Sequence, residues 1–146
     1  MTIRRLSAND YSKFYPLINE FRETSFTENE FRYTFIDMNY LTHQVWVIEE
    51  NNEFIAAGTL MFEKKFIHNL STVAHIEDII VKESHRGKGY GKTLVTHLIH
   101  RAKEYTSSYK ISLDCSDEHV PFYEKCGLEK KGNQMCLYLN TSPFTQ

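Results

Sequence analysis

A mixed α/β fold, with a mostly antiparallel, twisted sheet flanked by helices, is predicted by three features of the 146-residue chain. Short β-branched and aromatic runs alternate with stretches whose apolar residues recur at helical spacing. The early strand-like runs follow one another through turn residues, as antiparallel hairpins do, whereas the later ones are separated by helical patterns, as crossovers require. A chain of 146 residues is the size of one domain, taken as 1–146, and is long enough to bury a core without staples.

Ile3-Arg4-Arg5-Leu6 reads as a short strand, and Ser7 with Asp10 offers a helix start. Tyr11, Phe14, Leu17, Ile18 and Phe21 then form an i, i+3, i+4 stripe, which predicts the first helix. Thr27-Glu28-Asn29-Glu30 is a capping-box pattern ahead of Phe31, Phe35 and Met38, so a second short helix is expected. Val45-Trp46-Val47-Ile48 predicts a strand, with Phe54 to Phe62 as its hairpin partner across Asn51-Asn52, residues that tolerate tight-turn dihedrals. Lys64 to Ser71 reads as a polar loop and Val73 to Val81 as the next strand.

From Gly91 the residues Leu94, Leu98 and Ala102, flanked by Val95 and Ile99, return to helical period and predict an amphipathic helix to about Tyr105. Lys110 to Leu113 is a further strand, and Val120 to Cys126 a short helix that Gly127 can end in a left-handed cap. Gln134 to Leu139 closes the series as a last strand, giving the order β-α-α-β-β-β-α-β-α-β.

Composition excludes several classes. A net charge of -2 with 25% charged and 41% hydrophobic residues describes a soluble globular protein and carries no basic excess for nucleic acid. Apolar runs such as Ile79-Ile80-Val81 fall far short of the roughly 20 residues of a membrane-spanning helix. No apolar signal region follows Met1-Thr2-Ile3-Arg4-Arg5, so a cytoplasmic location is the expectation. Cys115, Cys126 and Cys136 are odd in number and lack metal-ligand spacing; they read as reduced core thiols, with no metal site and no disulfide framework.

The chemistry is densest in Val81 to Lys92, where a strand runs through a glycine-rich loop straight into a helix. Exposed loop amides and a helix N-terminus together form an anion site. Glycine lets the backbone approach a phosphate closely because no Cβ intervenes. Neither a P-loop nor a G-x-G-x-x-G dinucleotide pattern is present, since the glycines fall at 87, 89 and 91. Arg86, Gly89 and Gly91 do match Arg/Gln-x-x-Gly-x-Gly/Ala, so the segment resembles the pyrophosphate loop of the GNAT acetyltransferase superfamily.

Three further sets occur in order: His75-Ile76-Glu77-Asp78-Ile79-Ile80-Val81, Tyr109-Lys110-Ile111-Ser112-Leu113-Asp114-Cys115 and Phe122-Tyr123-Glu124-Lys125-Cys126-Gly127. Over about residues 64 to 136 they resemble eukaryotic-type glucosamine-6-phosphate N-acetyltransferases. The resemblance implies a GNAT fold with splayed central strands, acetyl-coenzyme A lying in the opening, and direct transfer in a ternary complex. The product would be N-acetylglucosamine 6-phosphate for UDP-N-acetylglucosamine synthesis.

On this resemblance coenzyme A is held by Arg86, Gly87, Lys88, Gly89, Tyr90, Gly91 and Lys92 at the loop. Backbone groups of Ile79, Ile80 and Val81 serve its pantetheine arm, and Asp114 and Tyr123 lie by the thioester. The sugar phosphate would meet Lys65, Phe66, Ile67, His68, Glu77, Asp78, Ile79, Tyr109 and Lys110. Glu77 and Asp114 are candidate catalytic carboxylates, and Tyr123 would protonate the departing thiolate. A homodimer with Gln134 to Leu139 near the partner is also implied.

Strand alternation sends neighbours to opposite faces, so Glu77 and Asp78 share a cleft only if a bulge intervenes. His119 and Leu137 stand where the family usually has an asparagine and an arginine. Two other readings stay open at this level: a GNAT enzyme acetylating another small amine or a protein amine, and a non-catalytic coenzyme A-binding module.

Overall fold

In the computed structural model, residues 1–105 and 107–139 are described. A sheet of order β1-β2-β3-β4-β5 organises them, built from β1 (Thr2–Arg5), β2 (His43–Glu50), β3 (Glu53–Lys64), β4 (Thr72–Val81) and β5 (Ser108–Ser112). The first three pairings are antiparallel and β4–β5 is parallel. Asn51 and Asn52 both have positive φ, 51° and 63°, which matches the hairpin turn to the right-handed twist of β2 and β3.

Helices α1 (Tyr11–Phe21) and α2 (Glu28–Asp37) pack on one face, α3 (Tyr90–Glu104) covers the other, and a short α4 (Val120–Glu124) follows β5. Period-two alternation divides the core between them. Val47 joins Leu17 and Phe31 on the α1/α2 side, while its neighbour Ile48 joins Leu94, Leu98 and Ala102 on the α3 side. The expected capping box at α2 is present: Glu30 N–H donates to Thr27 Oγ1 (3.2 Å) and Thr27 N–H donates to Glu30 Oε2 (2.7 Å). At α1 the Asp10 side chain leaves the helix uncapped, because it accepts instead from Arg4 Nη1 and Nη2 (2.8 and 3.0 Å) and from Ser7 N–H (2.7 Å).

Two irregularities shape the site. Pairing of β4 with β5 runs from Thr72 to His75, where β5 ends at Ser112, although β4 continues to Val81, so among the described residues a gap, or splay, lies open on that edge of β4 from Ile76 onward. Between the partners Thr59↔Glu77 and Ala57↔Ile80, Gly58 alone faces both Asp78 and Ile79. This is a β-bulge, with Asp78 held at φ 50°.

Three expectations are corrected. Gln134 to Leu139 is not a strand, and Met135, Leu137 and Leu139 are 93%, 84% and 90% exposed. The apolar and aromatic run Met135-Cys136-Leu137-Tyr138-Leu139 has the composition of a strand, but a strand forms only where a neighbour completes its hydrogen-bond ladder, and among the described residues none lies alongside. The loop between β3 and β4 is less polar than expected, turning through His68, Asn69 and Leu70 at φ 52°, 58° and 63° with Phe66 and Ile67 turned to solvent. Cys115 and Cys136 are exposed rather than core, since one falls in the loop past β5 and the other on the uncovered segment.

Candidate active site

The end of the site that the resemblance assigns to coenzyme A begins at the bulge. Before it, Ala74 and Ile76 point into the α3 core, so His75 and Glu77 face the α1/α2 side. The extra residue resets the alternation: Ile79 and Val81 now pack on the α3 core and Ile80 on the α1/α2 core. Among the described residues no strand pairs with β4 on its β5 side beyond His75, which leaves the outward backbone groups of this stretch open to a ligand in the splay, apart from the Val81 carbonyl that Arg86 Nε takes.

From Val81 the chain makes a single turn at Glu83–His85 and enters the glycine loop. Gly87 and Gly89 have φ 73° and 90°, left-handed values that side chains strain to adopt, and Gly89 is the N-cap position of α3. A Cβ on either would meet nothing within 4 Å, so the loop's concavity is open. Gly91 is constrained differently: a Cβ there would come within 3.3 Å of Phe122 Cζ and 3.4 Å of Val81 Cγ2. Its absence seats α4 against the first turn of α3 and β4, and so brings Tyr123 to the coenzyme end.

The loop's cations are partly used internally. Arg86 Nε donates to the Val81 carbonyl (3.1 Å) and Lys88 Nζ to the Ser84 carbonyl (2.9 Å), which brace the loop while keeping positive charge there. Lys92 is exposed on the first turn of α3. The Tyr90 side chain turns away from the loop, its phenol donating to Glu50 Oε2 (2.7 Å), which leaves only its backbone to serve a ligand.

On the acceptor side, register decides which residues meet. Ile111 and Leu113 pack into the α3 core, so Lys110 and Ser112, and Asp114 beyond the strand end, face the same side as His75 and Glu77. Across β3, His75 Nε2 hydrogen-bonds Glu63 Oε1 (3.1 Å), and Lys65 Nζ donates to the same oxygen (2.9 Å). The His68 ring lies 4.2 Å from the Tyr109 ring, and Lys110 Nζ 5.9 Å from that ring. Lys65, His68, Tyr109 and Lys110 thus gather at one end, whereas Phe66 and Ile67, 95% and 62% exposed, point away into solvent.

The other end of this face is acidic. Burial pushes the Glu77 carboxyl above the ordinary glutamate range, and the nearby charges of Asp114 and Asp78 push it further the same way. Asp114 Oδ2 accepts from Gln134 Nε2 (2.7 Å). Tyr123, Asp114, Cys115, Tyr109 and Lys110 line one open cleft of about 730 Å³ between β5, α3 and α4. Burial raises the Tyr123 phenol above its ordinary value, so it stays protonated through the neutral range.

Sequence reasoning missed three contributors. Glu63 holds both Lys65 and His75, Phe122 seats α4, and Gly58 opposes the bulge. A signal existed for Gly58, because a lone glycine within a strand run marks a bulge or a close approach.

The acetyltransferase (GNAT) family pattern matches residues 9–128. Glucosamine 6-phosphate N-acetyltransferase 1 of Dictyostelium discoideum is 37% identical over 148 residues, covering 98% of this chain and 94% of its own. Glucosamine 6-phosphate N-acetyltransferase of Arabidopsis thaliana is 39% identical, covering 94% of this chain and 96% of its own. The crystal structure of the Arabidopsis enzyme superposes with a TM-score of 0.90 over 95% of this chain and 98% of that one. The likeness therefore extends well beyond residues 64 to 136, into the first half of the chain as well.

Proposed function

Given that the chain belongs to the GNAT acetyltransferase family, we propose that it moves acetyl from acetyl-coenzyme A to the amine of glucosamine 6-phosphate. One observation carries the acceptor: the sheet face next to the splay presents Lys110, with Lys65 held by Glu63, at one end and is anionic at the Glu77 and Asp114 end. An amino sugar phosphate is charged in that sense, with an anion at one end and an ammonium at the other. Lys110 and Asp114 are four residues apart, about 13 Å along an extended chain at about 3.3 Å per residue, and the flexible lysine stem shortens the span.

In this reading the loop amides at Gly87, Gly89 and the start of α3 receive the pyrophosphate, with Arg86, Lys88 and Lys92 beside it. Glu77, with its raised proton affinity, takes the proton of the ammonium directly or through water, and Asp114 and Asp78 orient the amine. The free amine attacks the thioester carbon. Backbone N–H groups in the splay receive the oxyanion; as the C–S bond breaks Tyr123 gives its proton to the thiolate, and the second proton shed by the attacking nitrogen as it becomes an amide returns through water to the Tyr123 phenolate.

The same proposal includes a homodimer. Met135, Leu137, Tyr138 and Leu139 are all exposed, and an apolar segment of that kind finds its ladder and its apolar cover on a second copy. Equilibrium sedimentation is expected to give twice the monomer mass; a fully active monomer refutes it. The acceptor is tested by thiol release with glucosamine 6-phosphate, glucosamine and spermidine. Glucosamine 6-phosphate is expected to give the highest kcat/KM, and equal turnover of unphosphorylated glucosamine refutes the phosphate end of the site.

A further inference from the structure

Gly58 lies in β3, apart from the loop and from the acid residues, yet it occupies the one place where β3 meets two residues of β4. Its φ is outside the left-handed range, so an alanine would suit the backbone. What glycine supplies is space. A Cβ at 58 would fall 2.6 Å from Ile79 Cδ1, 3.1 Å from Leu98 Cδ1 and 3.3 Å from Leu94 Cδ2. Carbon atoms pack at about 3.5 to 4.0 Å, so the contact with Ile79 is a true overlap and the other two are tight.

We propose that Gly58 is a positioning residue for acetyl transfer: its bare Cα lets Ile79 fold back onto β3, and that seating holds the bulge which opens the backbone of β4 toward the coenzyme.

The geometry decides where the strain of an added methyl would go. Leu94 and Leu98 are completely buried in the α3 core and cannot retreat without opening a void elsewhere. On the β3 side the neighbours Ala56 and Ala57 sit in central, fully paired strand and are buried as well. Ile79 is the member that can move, because its strand has lost its β5 partner at that level. Its Cδ1, the end of a flexible side chain, turns aside first, but Leu94 Cδ2 and Leu98 Cδ1 crowd the same spot, so the rest of the shift carries the Ile79 backbone outward from the bulge. Asp78 already holds a left-handed φ of 50°, so the joint before Ile79 has little further range with which to absorb the shift. The displacement therefore appears at the amides of Ile79 and Ile80, where displacements of about 1 Å cost on the order of 10²-fold in rate.

This inference rests on acetyl-coenzyme A being the donor, but not on the identity of the acceptor. The test compares Gly58→Ala with Gly58→Ala/Ile79→Val, using Ile79→Val alone as the reference, since valine lacks the overlapping Cδ1. Thiol release is followed with whichever amine the wild type uses best, and acetyl-coenzyme A affinity is read by calorimetry, which reports even if no amine turns over. Gly58→Ala is expected to lose about tenfold or more in kcat and to bind acetyl-coenzyme A more weakly, with acceptor KM within about twofold. The double variant is expected to return to the Ile79→Val level in both readouts.

A purely structural glycine would lower Tm and leave both readouts of the folded fraction unchanged, and that result overturns the proposal. A folded double variant no better than Gly58→Ala also overturns it. If Gly58→Ala does not fold, the double variant decides: recovery of folding with Ile79→Val-like kcat and affinity supports the role, and failure to recover either refutes it. Preference for glucosamine over its phosphate in the wild type would sink the acceptor reading alone and leave this inference standing.

Discussion

Beyond Asp78, β4 offers a ligand its own backbone, flanked by Ile79 and Val81 packed against the α3 core, and continues into a loop whose glycines expose further amides. Before Asp78 the same strand offers side chains, His75 and Glu77, which acquire meaning only beside Glu63, Lys65, Lys110 and Asp114 from other elements. The half proposed to hold coenzyme A is thus set by local backbone geometry, and the half proposed to hold the acceptor by register across three strands. Changes in the first half should act on donor affinity, and changes in the second on acceptor KM and on proton transfer.

The largest effect expected is at Glu77. Glu77→Gln keeps the shape of the side chain but cannot accept a proton, and kcat should fall by about 10² to 10⁴. Burial and its acidic neighbours raise the carboxyl, so wild-type kcat/KM should be lost as pH falls through a value above the ordinary glutamate range. The sign for stability is opposite to that of an ion-paired carboxylate. A raised folded pKa favours the protonated form, so this group's contribution is present at low pH and is lost as pH rises through the folded value. Glu77→Gln should therefore raise Tm at neutral pH. Normal kcat with an unshifted pH profile would remove Glu77 from proton transfer.

Next in size is Tyr123→Phe, which retains the ring and its T-shaped contact with Phe122 at 4.9 Å but removes the donor. A drop of about 10² in kcat with acetyl-coenzyme A affinity unchanged is expected, the pattern of an interaction made in the transition state. Unaltered kcat across the pH range would leave a water or a backbone-bound proton as the acid. Gly89→Val belongs to the other half. No protein atom would obstruct the new Cβ, so the damage comes from forcing a branched residue to φ 90° and from its intrusion on the pyrophosphate. Calorimetry should show about tenfold weaker acetyl-coenzyme A binding or worse, with acceptor KM little changed. Equal affinity in a folded variant would detach the loop from the site.

The same division explains what could be read before any coordinates. The α3 stripe was legible because Leu94, Leu98 and Ala102 fall on one helical face, and all are fully buried. The capping box at Thr27 and Glu30 and the glycine loop are likewise local patterns that report local geometry. Gln134 to Leu139 misled for the converse reason: an apolar and aromatic run has the composition of a strand, but the ladder depends on a neighbour that no local pattern specifies. The Glu63–His75–Lys65 cluster is invisible in sequence, since Glu63 and His75 are twelve residues apart and meet only through the β3–β4 register. At Asp78 the two acidic neighbours raised the question of a bulge; which residue carried it waited on the pairing of Gly58.

The smallest effect is expected where the two halves join, at Asp78, and it separates them most finely. Asp78 does two things at once: its backbone forms the bulge at φ 50°, and its carboxylate adds to the acidic end of the acceptor face. Asp78→Gly removes the carboxylate and supplies a residue that adopts left-handed φ freely, so the bulge should persist. Relief of the backbone strain opposes the greater entropy that glycine gains in the unfolded chain, and the net stability change should lie within about 1 kcal/mol. Asp78→Ala removes the same carboxylate but keeps a Cβ, without the short polar side chain that helps aspartate tolerate this region, so its Tm should fall below that of the glycine variant. Both should raise acceptor KM severalfold, while only the alanine variant also weakens acetyl-coenzyme A binding. Loss of coenzyme affinity in Asp78→Gly would mean that the side chain, not the backbone, sustains the bulge. An unchanged acceptor KM in both variants would show that the carboxylate of Asp78 takes no part in holding the amine, leaving Glu77 and Asp114 as the acidic end of the site.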